Sequence, residues 1–276
     1  MLTSIRSLVT ATLLAGAALS AVPAMAQDAT PPAPVTVSGS VALVSDYRFR
    51  GVSQTDEEMA VQGGLTVGHE SGLYVGTWAS NLAGWGTFGG SNMELDLYGG
   101  YAMPIGAATL DVGLTWYMYP GGADNTDFAE PYVKLSSTLG PVEGLVGVAY
   151  APKQQALGNY SATPSSRGQK QDNLYLWTDL NSGIPNTPVT LKGHLGYSNG
   201  NPGLGPNGTS IAPTGEYFDW MLGADAAVGP LTLGIAYVDT DISRADSAYL
   251  GSGFANTEDG SSIAGSQVVF SVSAGF

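Results

Sequence analysis

The sequence predicts an all-β protein: a transmembrane, antiparallel, up-and-down β-barrel of about twelve strands. Three observations carry that prediction. Apolar and polar residues alternate with period two through segment after segment, as in Ser266 to Phe276, where apolar side chains fall at 268, 270, 272, 274 and 276. That period gives a strand one apolar and one wet face. The connections between such segments alternate strictly between short and long, as in barrels with short turns on one side of a membrane and longer loops on the other. Aromatic residues gather at both ends of the apolar faces, where lipid meets water.

The elements follow in order. Arg6 supplies a short positive segment, Leu8 to Leu19 is apolar, and Ala24-Met25-Ala26 reads as a cleavage site before Gln27. Residues 1–26 therefore read as a signal peptide rather than a spanning helix, since the apolar stretch is shorter than the ~20 residues a span needs. Residues 27–34, with three prolines, read as a flexible leader, and residues 35–276 as the barrel. Beyond the signal no apolar run approaches a spanning helix, so membrane insertion must use strands.

Strands are expected near 35–50, 59–69, 72–81, 92–102, 108–119, 128–139, 143–151, 172–181, 188–198, 216–227, 230–239 and 266–276. Ten residues at ~3.3 Å each and a tilt near 45° rise roughly 23 Å, close to the ~25 Å apolar band of an outer-membrane barrel. Glu70-Ser71-Gly72, Met103 to Ala107, Gly140-Pro141-Val142, Ser182 to Thr187 and Val228-Gly229 are the short connections. The long ones are Gly51 to Glu58, Leu82 to Ser91, Pro120 to Asp127, Pro152 to Gln171, Asn199 to Gly215 and Thr240 to Gly265. An even strand number puts both termini on the short-turn side, which is periplasmic in a Gram-negative outer membrane. A soluble β-sandwich has no reason to sort its loops this way.

Composition narrows the function. With Arg6 removed, 23 acids face 8 bases, a net −15, which disfavours nucleic acid as a partner. There is no Cys, so disulfides and thiolate metal sites are excluded. No cofactor is expected.

The strand parity sorts the side chains. Tyr47, Phe49, Trp116, Tyr197, Phe218, Trp220 and Tyr237 are expected outward beside long loops, and Tyr101 and Phe276 outward beside short turns. Between them the outward faces are apolar, as at Leu110, Val112 and Leu114, at Val189, Leu191 and Leu195, and at Leu231, Leu233 and Ile235. If alternation persists through residue 50, Asp46, Arg48 and Arg50 point inward. Glu94, Asp96, Asp111, Glu130, Lys134, Asp179, Lys192, His194, Asp219 and Asp225 join them. Such charges either line a water path or pair across the lumen. The sequence leaves both open, because eight strands are filled by side chains, sixteen leave a channel, and twelve lie between.

Ser45-Asp46-Tyr47-Arg48-Phe49-Arg50-Gly51-Val52-Ser53-Gln54-Thr55, followed by His69-x-Ser71-Gly72-x-Tyr74-x-Gly76-x-Trp78-x-Ser80-Asn81, resembles the TorF-type family of proteobacterial porin-like proteins. The resemblance is strongest over about residues 40–100. Met59 stands where that family often has Pro ahead of Ala-x-Gln-Gly, but Ala60-Val61-Gln62-Gly63 is kept. The resemblance implies an outer-membrane barrel and supplies neither a substrate nor catalytic residues. The last strand, ending on Phe276, also resembles the terminal strand of outer-membrane barrels, whose final aromatic helps the assembly machinery recognise its client.

Enzyme motifs are weak here. Gly196-Tyr197-Ser198-Asn199-Gly200 matches G-x-S-x-G, but the Pro- and Gly-rich segment after it cannot form the helix a nucleophile elbow needs. Gly203 to Gly208 matches G-x-G-x-x-G without a βαβ unit. His69 and His194 sit on different strands with opposite parity, too few for a zinc site. His69 with a nearby Ser invites comparison with a barrel phospholipase; an outward His at an interface is more commonly just tolerated. The acidic groups Asp56-Glu57-Glu58, Asp124-Asn125-x-Asp127 and Asp239-x-Asp241 lack EF-hand spacing and read as solvated surface rather than Ca²⁺ sites.

The expected function is passive passage of small solutes, with cations preferred, because the inward set holds eight acids against four Lys and Arg. The alternative is a closed structural or surface-binding barrel; a membrane-embedded lipid hydrolase ranks below both. Expected partners are outer-membrane lipid, the barrel-assembly machinery and small solutes. Nothing on the outer face marks an oligomeric state.

Overall fold

A computed structural model describes residues 34–158, 168–203 and 210–276. The signal peptide and nearly all of the leader lie outside the described residues. Fourteen strands are present among them: β1 Val35–Val44, β2 Arg48–Phe49, β3 Val52–Ser53, β4 Ala60–His69, β5 Leu73–Asn81, β6 Met93–Ile105, β7 Ala108–Met118, β8 Phe128–Leu139, β9 Val142–Gln154, β10 Gln171–Gly183, β11 Val189–Gly200, β12 Glu216–Val228, β13 Leu231–Thr240 and β14 Gln267–Gly275. Twelve of them close into one antiparallel barrel in the order β1-β14-β13-β12-β11-β10-β9-β8-β7-β6-β5-β4. Strands β2 and β3 form a small separate hairpin.

Closure is made by β14 against β1, from Ser40↔Gly275 to Val44↔Ser271. Gly39 and Phe276 extend the seam by exchanging backbone bonds, N–H to O 2.9 Å one way and 3.0 Å the other. Every barrel strand thereby finds partners on both sides, which removes free edges. Each of the five short turns carries a residue at positive φ: Gly72, Gly106, Gly140, Asn186 and Gly229. Glycine and asparagine adopt that backbone at little cost, which is why those residues punctuate the strands.

One expected strand is wrong at its end. β1 stops at Val44, and residues 45–58 turn into the barrel instead of continuing to 50. Tyr47 and Phe49 therefore do not face outward. Tyr47 is 1 % exposed and its ring meets Trp78 at 5.3 Å, while Phe49 packs edge-on to Tyr117 at 5.8 Å. The cause is polar. Asp46 and Arg48 find their partners within the folded segment, and Arg50, Asp56 and Glu57 take positive φ, with Gly51, to double the chain back. A run of alternating aromatics and charges reads as strand by period alone, yet these hydrogen bonds hold the segment turned inward.

The remaining outward aromatics sit as expected. Tyr101, Trp116, Phe218, Tyr237 and Phe276 are exposed, Tyr197 and Trp220 partly so, and Tyr197 leans on Phe218 at 4.9 Å. Between them Leu97, Val112, Leu114, Leu191, Leu195, Leu231, Leu233 and Ile235 expose a continuous apolar wall.

Inside, rings lie flat against glycines of the neighbouring strand. Gly76 stands opposite Tyr98, and Gly147 opposite Trp177. A Cβ at Gly147 would come within 2.2 Å of the Trp177 ring. Gly147→Val should displace that ring and break its 3.1 Å bond from Nε1 to Asp179, at a cost of about 1–3 kcal/mol of overpacking. A closed barrel resists detergent until heated, so folded and unfolded forms separate on a denaturing gel. The variant should convert to the unfolded band at a lower temperature than the parent; an unchanged conversion temperature would show that the glycine is not needed for packing.

The long loops fold together over one end. Val52, Trp85, Ala212, Tyr217, Ile242, Leu250, Phe254 and Ile263 form one buried cluster, with Trp85 edge-on to Phe254 at 4.8 Å. Helix α1, Arg244–Ser247, is started by a Ser243–Asp246 capping box in the last loop. The acidic pair Asp56-Glu57, read from sequence as solvated surface, is instead pinned to this loop. Asp56 is buried and accepts from the Thr257 N–H and hydroxyl, and Glu57 accepts from Asn256 and Ser261.

Candidate functional site: the barrel interior

The inward-turned segment 45–58 is built around two arginines. Arg48 donates from Nε to Asp46 at 2.5 Å, from Nη1 to the carbonyls of Gly51, Ile263 and Gly265 at 3.1, 3.0 and 2.9 Å, and from Nη2 to Glu57 at 3.0 Å. Ser53 donates to Asp46 at 2.6 Å and receives the Glu57 N–H at 2.8 Å. Thr55 receives the Tyr47 N–H and donates to the Glu58 carbonyl. The motif Ser45 to Thr55 thus encodes a knot that ties an internal segment to the last loop.

Arg50 reaches across the interior. Its Nη2 meets both oxygens of Glu130 on β8 at 2.7 Å, and its guanidinium lies over the Tyr175 ring of β10 at 4.0 Å. Tyr117 also donates to Glu130 at 3.3 Å. On β10 to β12, His194 is held between Asp179 at 2.6 Å and Asp219 at 3.1 Å, with the Tyr175 hydroxyl 2.9 Å from Nε2. Nearer the short turns Lys134 pairs with Asp111 at 2.7 Å and lies over Tyr132, and Lys192 pairs with Asp225 at 2.8 Å. Tyr74 donates to Asp111 at 2.6 Å. Beyond these pairs, toward the short turns, the inner face is small and polar, with Ser38, Ser40, Thr66, Gly68, Thr109, Ser136, Thr190 and Thr232.

The structure therefore brings together all the inward candidates. Asp46, Arg48, Arg50, Glu94, Asp96, Glu130, Lys134, Asp179, Lys192, Asp219 and Asp225 are buried inside, with Asp111 and His194 partly exposed beside them. Asp46, Arg48 and Arg50 arrive there through the inward turn and not as strand residues. Sequence reasoning missed the inward rings Tyr47, Trp78, Tyr98, Tyr117, Tyr132, Tyr175 and Trp177, which fill the loop-side half. Apart from Tyr47 they carry the inward parity of their strands, so the signal was present and was masked by the expectation that aromatics belong at lipid interfaces. A cavity of about 30 Å³ in the interior lies among Asp46, Arg48, Gln62, Lys192 and Asp225. On the outer side His69 Nδ1 lies 2.9 Å from Ser71 Oγ in an exposed turn, and among the described residues no carboxylate hydrogen-bonds that imidazole.

A family model described as bacterial protein of unknown function (Gcw_chp) matches residues 28–276. The chain belongs to that family. The TorF-type resemblance is a separate likeness that this match does not establish. No curated protein matches the chain in sequence. Among solved structures, a porin is similar at 12 % identity, covering 88 % of this chain and 100 % of its own, with a TM-score of 0.42. An outer membrane channel from Pseudomonas putida F1 is similar at 10 % identity, covering 90 % of this chain and 97 % of its own, with a TM-score of 0.44. OmpT, an outer membrane protein of Vibrio cholerae, is similar at 10 % identity, covering 88 % of this chain and 97 % of its own, with a TM-score of 0.39.

Proposed function

We propose that this Gcw_chp-family chain is a narrow, porin-like channel of the bacterial outer membrane that passes small solutes, cations before anions, and carries out no catalysis. The observation that carries the reading is a closed twelve-stranded barrel whose outward face is apolar and whose inward face holds charge. Barrels that span the outer membrane are built this way, with apolar residues toward lipid and polar residues toward a lumen. The TorF-type resemblance points the same way. Single-channel recording in a planar bilayer tests the proposal: discrete conductance steps of small size support it. Silence at every voltage favours the second reading, a closed surface-binding barrel, for which the packed loop-side interior speaks.

The orientation is proposed with both termini periplasmic and the long loops outside. Lys153 and Lys170 flank the β9–β10 loop and are exposed; Arg167, the third basic residue of that loop, lies outside the described residues. Exposed loops are preferred sites of nicking. Trypsin added to intact cells is expected to cut there. Cutting only after the outer membrane is opened would invert the topology.

A further inference from the structure

We propose that Glu94 and Asp96 form the binding site for one small monovalent cation inside the barrel; access to it rests on the channel reading above. The two carboxylates occupy successive inward positions of β6 and are 2 % and 1 % exposed. They differ from every other buried acid of the interior. Asp46, Glu130, Asp179, Asp219 and Asp225 each have Arg, Lys or His within 3.1 Å. Glu94 receives a hydrogen bond from the Tyr47 hydroxyl on Oε2 at 3.1 Å. No donor among the described residues reaches Glu94 Oε1 or Asp96 Oδ1. An ionised carboxylate buried without a partner costs several kcal/mol, and two on one face repel one another as well. A proton meets that cost by neutralising the carboxylate, and a small cation at this place can take the proton's position.

An approach to Glu94 from the loop side is also present. A cavity of about 10 Å³, room for roughly one water, is lined by Glu94 together with Phe49, Trp85, Phe88, Tyr119 and Tyr217 on the loop side. Aromatic faces attract cations. The size of the cavity admits a bare or nearly bare alkali ion and excludes a bulky organic cation. A divalent ion is a poor fit, because Ca²⁺ takes six to eight oxygens, and no three His, Asp or Glu side chains converge as a metal cage among the described residues.

The test is thermal unfolding of the purified, detergent-folded barrel in NaCl, KCl and choline chloride at equal ionic strength. Ligand that binds only the folded state stabilises it, so Na⁺ or K⁺ at about tenfold over its Kd should raise the midpoint by about 3–6 °C above choline. The near-isosteric pair Glu94→Gln with Asp96→Asn should raise the midpoint in choline and erase the difference between salts. Equal midpoints of the parent in all three salts, or a salt difference that survives in the double variant, overturns the site. Conductance is measured separately. Cation-specific stabilisation without conductance leaves the site standing and removes the channel reading. Conductance without cation-specific stabilisation does the reverse.

Discussion

Replacing Arg48 with alanine is expected to raise single-channel conductance several-fold while leaving the barrel folded. Arg48 joins the inward segment both to itself and to the last loop, through Asp46, Glu57 and the carbonyls of residues 51, 263 and 265. Removing one member of a buried ion pair costs about 3–5 kcal/mol, because the charge left behind is uncompensated. That loss falls on segment 45–58. The barrel wall is held by the backbone ladder, in which Arg48 takes no part. A bias of that size shifts the ratio of seated to displaced segment by roughly 10²–10³-fold, since every 1.4 kcal/mol is about tenfold. The displaced segment withdraws Tyr47, Phe49 and Arg50 from the interior and widens the path. Arg48→Lys should recover little, as one ammonium cannot reproduce the planar fork that meets Asp46, Glu57 and three carbonyls together. Bilayer recordings of the three proteins, with a gel-shift control for folding, decide it. Equal conductance in all three would show that the segment is seated by its apolar contacts alone.

The barrel was legible because its signals are periodic and redundant. β7 alternates Leu110, Val112, Leu114 and Trp116 with Asp111 and Tyr117, and β13 alternates Leu231, Leu233, Ile235 and Tyr237 with small residues. Period two, length and the sorting of loops each give the same answer, so an error in one boundary changes little. The longer reach of β6, β9 and β10 past their expected ends is of that harmless kind.

The inward segment was illegible for a physical reason. Asp46 to Arg50 alternates as a strand does, and what turns it inward is a set of contacts to residues far along the chain: Ile263, Gly265, Glu130 and Tyr175. Local pattern carries no trace of those. The pairing of the interior was half legible. Parity placed Lys134 and Asp111, or Lys192 and Asp225, on one face, but which charge meets which depends on register between strands. Glu94 and Asp96 looked like any other inward acids in the sequence; they stand apart only when the neighbours of each buried carboxylate are known.

Reversal potentials across a salt gradient should show cation over anion preference, strongest at low salt. The interior set holds Asp46, Glu94, Asp96, Asp111, Glu130, Asp179, Asp219 and Asp225 against Arg48, Arg50, Lys134 and Lys192, an acid excess of four, which His194 between Asp179 and Asp219 lowers by one when protonated. The ion pairs cancel most of the near field of their members. When ionised, Glu94 and Asp96 act on the path unpaired, in a low-dielectric wall that focuses their field. Acidic groups in a constriction favour cation conduction. Screening shortens the Debye length to ~3 Å at 1 M, so the preference should fade as salt rises. Glu94→Gln with Asp96→Asn should move the reversal potential toward zero, since it removes the two buried acids that no Lys, Arg or His pairs with. Neutralising Asp225 should instead expose Lys192 and weaken the preference by a different route, through an added positive charge. The opposite result, anion preference that disappears in Arg50→Ala, would place the selective charge at the Arg50–Glu130 contact and make the solute an anion.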